Sequence, residues 1–233
     1  MNLSMLAIGS GWGDEILRGL AVTLGLAAVS FVLGSVFGLV GALAESSGSR
    51  ALARAVGGFN ALVRSLPELL IIFVVYYGLS IALQGFLAPF GVTGFIALDA
   101  FWSGALSIAL IHSAYCAEVF RGALQAVPRG PLEAAAALGL HPRHSFVLVK
   151  LPLALRYALP GLVNLSVVTL KITPLVSAIG LQDLMRSAGD AGKNTREYIT
   201  FYLIALGLYL IVAAVIYAVQ LSLERRLARG VVT

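Results

Sequence analysis

Charge is scarce in this 233-residue sequence: Asp, Glu, Lys and Arg make up 12% of it, about half their share in an ordinary soluble domain. That excludes a water-soluble globule, and the mean hydropathy of +0.94 agrees. Cysteine occurs once, as Cys116 inside an apolar run, so the chain builds neither an intramolecular disulfide nor a cysteine-rich metal site, and no metal site is expected. No Gly-x4-Gly-Lys-Ser/Thr phosphate loop occurs, so this chain itself is expected to bind no ATP and to carry no catalytic residues or cofactor of its own. Basic runs between aromatic platforms are missing too. The net charge of +5 comes from scattered arginines at the ends of apolar blocks, which argues against nucleic acid as a partner. There is no internal repeat and no low-complexity tract.

What is present is long uncharged sequence. Residues 20–43, 69–98, 100–117 and 198–223 contain no Asp, Glu, Lys or Arg. Each is long enough for a membrane span of about 20 residues. The pattern predicts an all-α integral membrane protein of one domain, residues 1–233. Its five helical spans are at about 20–43, 69–86, 102–120, 151–176 with an interruption, and 198–223. Gly85, Pro89, Gly91 and Gly94 break the second block and leave a loop with a short apolar element before Asp99. Ala42-Leu43-Ala44 has the small-x-small form of a signal cleavage site. The apolar stretch before it is far longer than a signal core, and its leader holds Asp14 and Glu15 against Arg18, so it reads as a retained first span. Within that span, Gly34 and Gly38, with Gly41 close by, have two readings: small residues that let a neighbouring helix approach closely, or a chance pair of a residue common in membrane helices.

Orientation follows from Lys and Arg in alternate loops. With the N-terminus outside and the C-terminus inside, the cytoplasmic segments hold Arg50, Arg54, Arg64, Arg121, Arg129, Arg143, Lys150, Arg156, Arg225, Arg226 and Arg229, eleven of the sixteen basic residues. The other side keeps Arg18, Lys171, Arg186, Lys193 and Arg196.

The loop over residues 121–156 is too regular for a plain connector. Two short helices are expected in it: Pro131 at the first helical position, Glu133 at the third on the positive end, and Gly139 as the stop; then a second helix from Pro142 to Pro152. Glu133 has two readings, a contact to another protein or a cap of its own helix. The alanines after it have two as well, close seating in a partner or packing on the chain's own spans.

Glu133-Ala134-Ala135, three residues, Gly139, nine residues, then Val149-Lys150-Leu151-Pro152 resembles the EAA loop of ABC-importer permeases, with Val149 in place of Ile. The resemblance extends over most of the chain and is closest to the polar amino acid branch of five-span permeases. Ala117-Glu118-Val119-Phe120-Arg121-Gly122 is similar to that branch's lead into the loop. Arg64-Ser65-Leu66-Pro67-Glu68 and Tyr76-Tyr77-Gly78-Leu79 resemble its second-span segment, with Ser65 in place of Gly. Arg156-Tyr157-Ala158-Leu159-Pro160-Gly161 and Leu170-Lys171-x-Thr173 resemble its fourth span. An acidic residue after Pro67 is similar to the histidine, arginine and opine permeases in particular.

The resemblance implies a type I importer permease fold in the bacterial inner membrane. It also implies a cytoplasmic ABC ATPase dimer that carries the ATP and Mg, a second permease subunit, homologous or identical, and an external amino-acid-binding protein. The ATPase-coupling residues it implies are Glu133, Ala134, Ala135, Gly139, Leu151 and Pro152. The implied cargo is polar, basic amino acids or opines.

A pathway needs polar groups at membrane depth. The sequence offers Lys171, Thr173, Pro174 and Ser177 at the break in span four, and His112, Ser113 and Tyr115 in span three. Each set has a second reading: Lys171 snorkelling to the interface and His112 as a packing residue bonded across helices. Ile172 stands where many members of the branch carry Asp or Ser, which would move direct substrate contact toward a second permease. Glu68, beside Pro67, invites a reading as a partner for a cationic substrate, but an ordinary helix start with its carboxylate on the positive dipole end is the favoured one. Two rival classes remain: an ion-coupled secondary transporter, which would need coupling-ion sites and usually an internal repeat, and an intramembrane hydrolase, for which His112 and Ser113 lack a third member.

Overall fold

The computed structural model describes residues 11–91, 94 and 96–228; the side chains of 224–228 are not described. The expected N-terminus outside, Arg229, and part of the apolar element before Asp99 therefore fall outside the described residues or rest on them only in part. Among the described residues every regular element is helical. Five helical stretches are long and apolar enough to cross a membrane, as the uncharged runs dictate.

Helix α1 (Gly13–Glu45) runs the length of the molecule. After a short turn, α2 (Arg50–Ser65) starts at Ser49, whose hydroxyl caps it by accepting from Leu52 N–H. Pro67 then stops one helix and starts the next, α3 (Glu68–Leu87), with Glu68 in the first turn at the positive end. A 3-10 turn at Ala88–Phe90 closes on Gly91, which is left-handed at φ 84°. Asp99 caps α4 (Ala100–Ala126), its Oδ1 accepting from Trp102 N–H at 2.9 Å.

Helix α4 is the centre of the molecule. Two-thirds of its apolar window is buried, 67%, against 11% for the last helix, so α4 is enclosed by its own chain and the last helix is peripheral. Three apolar clusters string along α1. Leu26 packs with Ile72, Ile108, Ile111 and Val176 at mid-depth; Ala42 packs with Cys116, Phe120, Ala154 and Leu165 toward the Glu45 end; Ile16 packs with Leu184, Ala188 and Phe201 at the opposite end.

The glycine prediction holds at atomic detail. A Cβ on Gly34 would stand 2.7 Å from His112 Cδ2 and 2.8 Å from the Ala109 carbonyl oxygen, and one on Gly38 would meet the Cys116 side chain and the Ser113 carbonyl. Close approach of α1 to α4 requires glycine at both positions.

After α4 come α5 (Arg129–Ala137), α6 (Pro142–Ser145), a π-helical turn (Phe146–Lys150) and α7 (Leu151–Ile172), which continues as a 3-10 segment, Thr173–Ile179, ended by left-handed Gly180 at φ 102°. Helix α8 (Leu184–Thr195) is a short amphipathic helix capped by Asp183, and α9 (Tyr198–Ala228) ends the described chain.

Two expectations for the loop need correction. Pro152 does not end a helix: the chain runs as one helical rod over Pro142–Ile179. The π turn explains this. Leu151 N–H reaches five residues back to Phe146 C=O, and the wider turn makes room for a proline that cannot donate to the regular ladder. Glu133 is not at the third position either. Helix α5 begins at Arg129, so Pro131 occupies its third residue and Glu133 its fifth, beyond the first turn where a carboxylate best meets the helix dipole.

Candidate coupling loop and pathway

The connection from α4 to α5 is made stiff by sequence. Val127 is extended before Pro128, whose fixed φ starts α5 one residue later. At the other end, Gly139 is left-handed at φ 77°, Gly139 N–H bonds Ala136 C=O at 2.9 Å, and Leu140 N–H bonds Ala135 C=O at 3.0 Å. That paired closure satisfies the last carbonyls of the helix and turns the chain back sharply. His141 then caps α6, its Nδ1 accepting from Arg143 N–H at 3.3 Å.

The helix is seated on its own protein by Leu132, which packs against the cluster around Phe120 and Ala154, and by Ala135, which is 5% exposed. The four alanines therefore divide. Ala135 packs inward, while Ala134, Ala136 and Ala137 face out with Glu133. Beside them Leu138 is 80% exposed, a large apolar side chain at the tip of a solvent-facing turn. Val147 and Leu148, on the outer side of the π turn, are exposed as well, whereas Phe146 packs inward with Lys150 Nζ over its ring at 6.0 Å. Leu151 is partly buried and Pro152 exposed. The sequence pattern missed Leu138; its signal was a lone large apolar residue directly before the helix-ending glycine.

A polar network braces the same end of the bundle. Glu45 Oε1 accepts from Asn60 Nδ2 at 2.7 Å, Glu45 Oε2 lies 3.6 Å from Arg121 Nε, and Glu118 pairs with Arg121 and, at 3.4 Å, with Arg64. It ties the ends of α1, α2 and α4 together just before α5 begins. Each pair alone is worth little at such exposure.

The proposed pathway residues fall into two groups. His112, 3% exposed, sits where α1, α4 and α7 meet. Thr169 Oγ1 donates to Leu165 C=O at 2.9 Å, so its contact of 2.6 Å to His112 is one in which Nδ1–H donates to the hydroxyl. Nε2 is then the acceptor, facing Cys116 Sγ at 3.0 Å and Ser35 Oγ at 3.4 Å, while the ring lies against Phe31. Both nitrogens of a neutral imidazole are thus used across helices. Ser113 donates to Leu110 C=O, and Tyr115 packs between two apolar clusters.

At the break in span four, Thr173 is fully buried and donates to Leu170 C=O, Ser177 donates to Pro174 C=O, and Lys171 is exposed. The regular helix gives way to the 3-10 form at Thr173, one residue before Pro174, as the proline dictates. The Ser177 carbonyl receives Gly180 N–H and Arg186 Nη1, the latter at 3.2 Å. None of these residues lines the apolar groove of about 570 Å³ between α1, α7 and α9.

Beyond this break lies a polar site that sequence reasoning did not single out. Asp183 is fully buried; its Oδ1 accepts from Arg186 N–H at 2.9 Å, and Oδ2 has no hydrogen-bond partner among the described residues. Thr23 Oγ1 accepts from Leu184 N–H at 3.1 Å, and Ser187, also buried, presses on Gly19. Burial pushes the Asp183 carboxyl up to about 6. Its cue in the sequence was the Asp before an apolar residue at a helix start.

A bundle of five helices long and apolar enough to cross a membrane, built round a central glycine-packed pair and carrying a short helix on a braced loop, defines an all-α membrane protein. A family model described as binding-protein-dependent transport system inner membrane component matches residues 32–229, and the chain belongs to that family. It is 40% identical over 220 residues to the octopine transport system permease protein of Rhizobium radiobacter, covering 94% of this chain and 93% of that one. It is 40% identical over 221 residues to the histidine/lysine/arginine/ornithine transport system permease protein of Escherichia coli, covering 95% and 96%. Among solved structures it matches a crystal structure of an amino acid ABC transporter with histidines, with a TM-score of 0.79 at 30% identity over 92% of this chain and 95% of that one. The expected all-α importer-permease fold and the inner-membrane location stand.

Proposed function

We propose that this chain is the permease subunit of an ATP-driven importer for polar amino acids or opines, with basic, guanidinium- or amine-bearing cargo. The names of its relatives, an octopine and a histidine/lysine/arginine/ornithine permease, support the substrate class. The N-terminus faces out and α5 faces the cytoplasm. An external binding protein delivers the cargo, a second permease subunit completes the pathway, and two ATPase subunits close on ATP with Mg.

The observation that carries the coupling step is the build of α5: seated inward by Leu132 and Ala135, closed at Gly139, and presenting Glu133, Ala134 and Leu138 outward. A short helix fixed at both ends moves as a rigid lever, so closure of the ATPases is passed through the π turn, Leu151 and Pro152 into α7. The 3-10 segment with Lys171, Thr173, Pro174 and Ser177 lies at the far end of that same rod, where α7 movement opens or closes the path; His112, Ser113 and Tyr115 hold the α4–α7 joint. The family is one of binding-protein-dependent systems, which leaves the ion-coupled alternative without support.

A pull-down of the tagged chain from its native membranes in mild detergent tests this reading. Stoichiometric recovery of an ABC ATPase, lost in Gly139→Val, is the expected result. Recovery of the folded chain alone would overturn it. A second, different permease in the same eluate identifies a heterodimer.

A further inference from the structure

Helix α2 has three faces, and only one is packed against its own protein. Ala53, Val56, Gly57, Asn60 and Val63 turn inward onto α1 and α4. A second stripe, Leu52, Ala55, Phe59 and Leu62, recurs every three or four residues and is exposed, with Phe59 at 48% and Leu62 at 57%. A third face carries Arg50, Arg54 and Ser65, all exposed. The helix contains no Asp or Glu, and neither Arg50 nor Arg54 enters an ion pair among the described residues.

The direction of α2 is fixed by what its middle touches. Val56, Gly57 and Asn60 lie against Gly41 and Glu45, the last turn of α1. A helix folded back along α1 would bring its first turn to Glu45 and its middle far deeper. Instead α2 crosses the end of the bundle, and Arg64 reaches Glu118 on α4. It leaves one span and feeds the next at the same membrane surface. Leu66, just after the helix, and Leu70 and Val74 of α3 are exposed apolar residues as well.

We propose that α2 is an interfacial helix bound to anionic lipid. The stripe from Leu52 to Leu62 sinks to the acyl boundary, and Arg50 and Arg54 hold phosphate headgroups. Charge selects lipid over a protein partner: a basic, acid-free helix with an exposed apolar stripe on one face and exposed arginines on another, lying across the end of a bundle of membrane-length helices, has the pattern of an in-plane membrane helix. The Glu45, Asn60, Arg64, Glu118 and Arg121 network then connects this lipid contact to the root of α5. The inference is independent of which substrate is carried.

The test uses the full chain, with whatever subunits copurify, in vesicles of brominated phosphatidylcholine or brominated phosphatidylglycerol. Phe59→Trp reports by the difference in emission from the parent, which keeps Trp12 and Trp102; Leu62→Trp is the second reporter should the first not fold. Quenching by both lipids, stronger with phosphatidylglycerol, is expected, and the preference for phosphatidylglycerol should fall roughly fivefold per arginine in Arg50→Gln and Arg54→Gln while quenching persists. A blue-shifted but unquenched signal would mean that a protein covers the stripe and would overturn the proposal. So would an acrylamide-accessible, unquenched signal, which places the stripe in water. Equal quenching by the two lipids, unchanged in the arginine variants, would overturn the assignment of anionic lipid. Sidedness is read separately, from labelling of Ser46→Cys in right-side-out vesicles.

Discussion

Replacing Gly34 by alanine probes the α1–α4 joint with a single methyl group. The new Cβ would stand 2.8 Å from the Ala109 carbonyl and 2.7–2.9 Å from two carbons of His112. Backbone cannot rotate away as a side chain can, so the helices must part. Overpacking of this kind costs about 1–3 kcal/mol. Displacing His112 also weakens its bonds to Thr169 and Ser35, each worth about 0.6 kcal/mol between membrane helices, and alanine's better helix propensity returns up to about 1 kcal/mol. The net loss is about 1–3 kcal/mol. At Gly25 the same methyl group meets only Phe101 ring carbons at 3.8 and 3.9 Å, ordinary contact, so Gly25→Ala keeps the propensity gain without the clash. Apparent Tm of the purified chain in mild detergent should therefore fall by roughly 3–10 °C for Gly34→Ala. Gly25→Ala should hold or rise. Equal stability of the two variants would refute the claim that glycine sets the approach of these helices.

Three further predictions follow from other parts of the molecule. Asp183 carries a carboxyl raised from 3.8 to about 6, so its contribution to stability is complete below about pH 4 and is lost as pH rises through 6, a change of about 3 kcal/mol. Asp183→Asn keeps the capping oxygen without the charge, so its Tm advantage over the parent should grow from pH 4 to pH 7; a pH-independent difference would contradict the assignment. Leu138→Ser should abolish copurification of the ATPase while leaving Tm within about 1 °C, because the side chain is 80% exposed. Ala135→Leu should lower Tm and Ala134→Leu should not, since only Ala135 packs inward; matched Tm values would contradict the seating of α5.

Much of this fold was legible because bilayer solvation writes long uncharged runs into a sequence. The five spans, the Gly34 and Gly38 approach and the stop at Gly139 each follow from one strong local rule. Helices α2 and α8 left no such run. Their apolar stripes are short and interleaved with Arg, Gly and Asn, and their helical form depends on packing against α1, α4 and α9. The internal register of the loop was misjudged at Glu133 and Pro152 for a related reason: proline fits anywhere in a first turn, where no N–H is used, and a π turn can absorb it further in. Asp183 carries the mark of a helix start, but its burial with Thr23 and Ser187 had no local signal, because the cluster is assembled from α1, α8 and the connection before α8, positions about 160 residues apart in sequence.

The proposed docking of α5 and the π turn on an ATPase puts Leu138 in the contact. Its most direct test is a photo-crosslinking amino acid placed at Leu138 in the full chain, irradiated in native membranes, with Ile199, exposed at the start of α9, as the comparison site. The expected result is an adduct to an ABC ATPase from position 138 and none from 199. No ATPase adduct at 138, from a chain that still reaches the membrane folded, would contradict it.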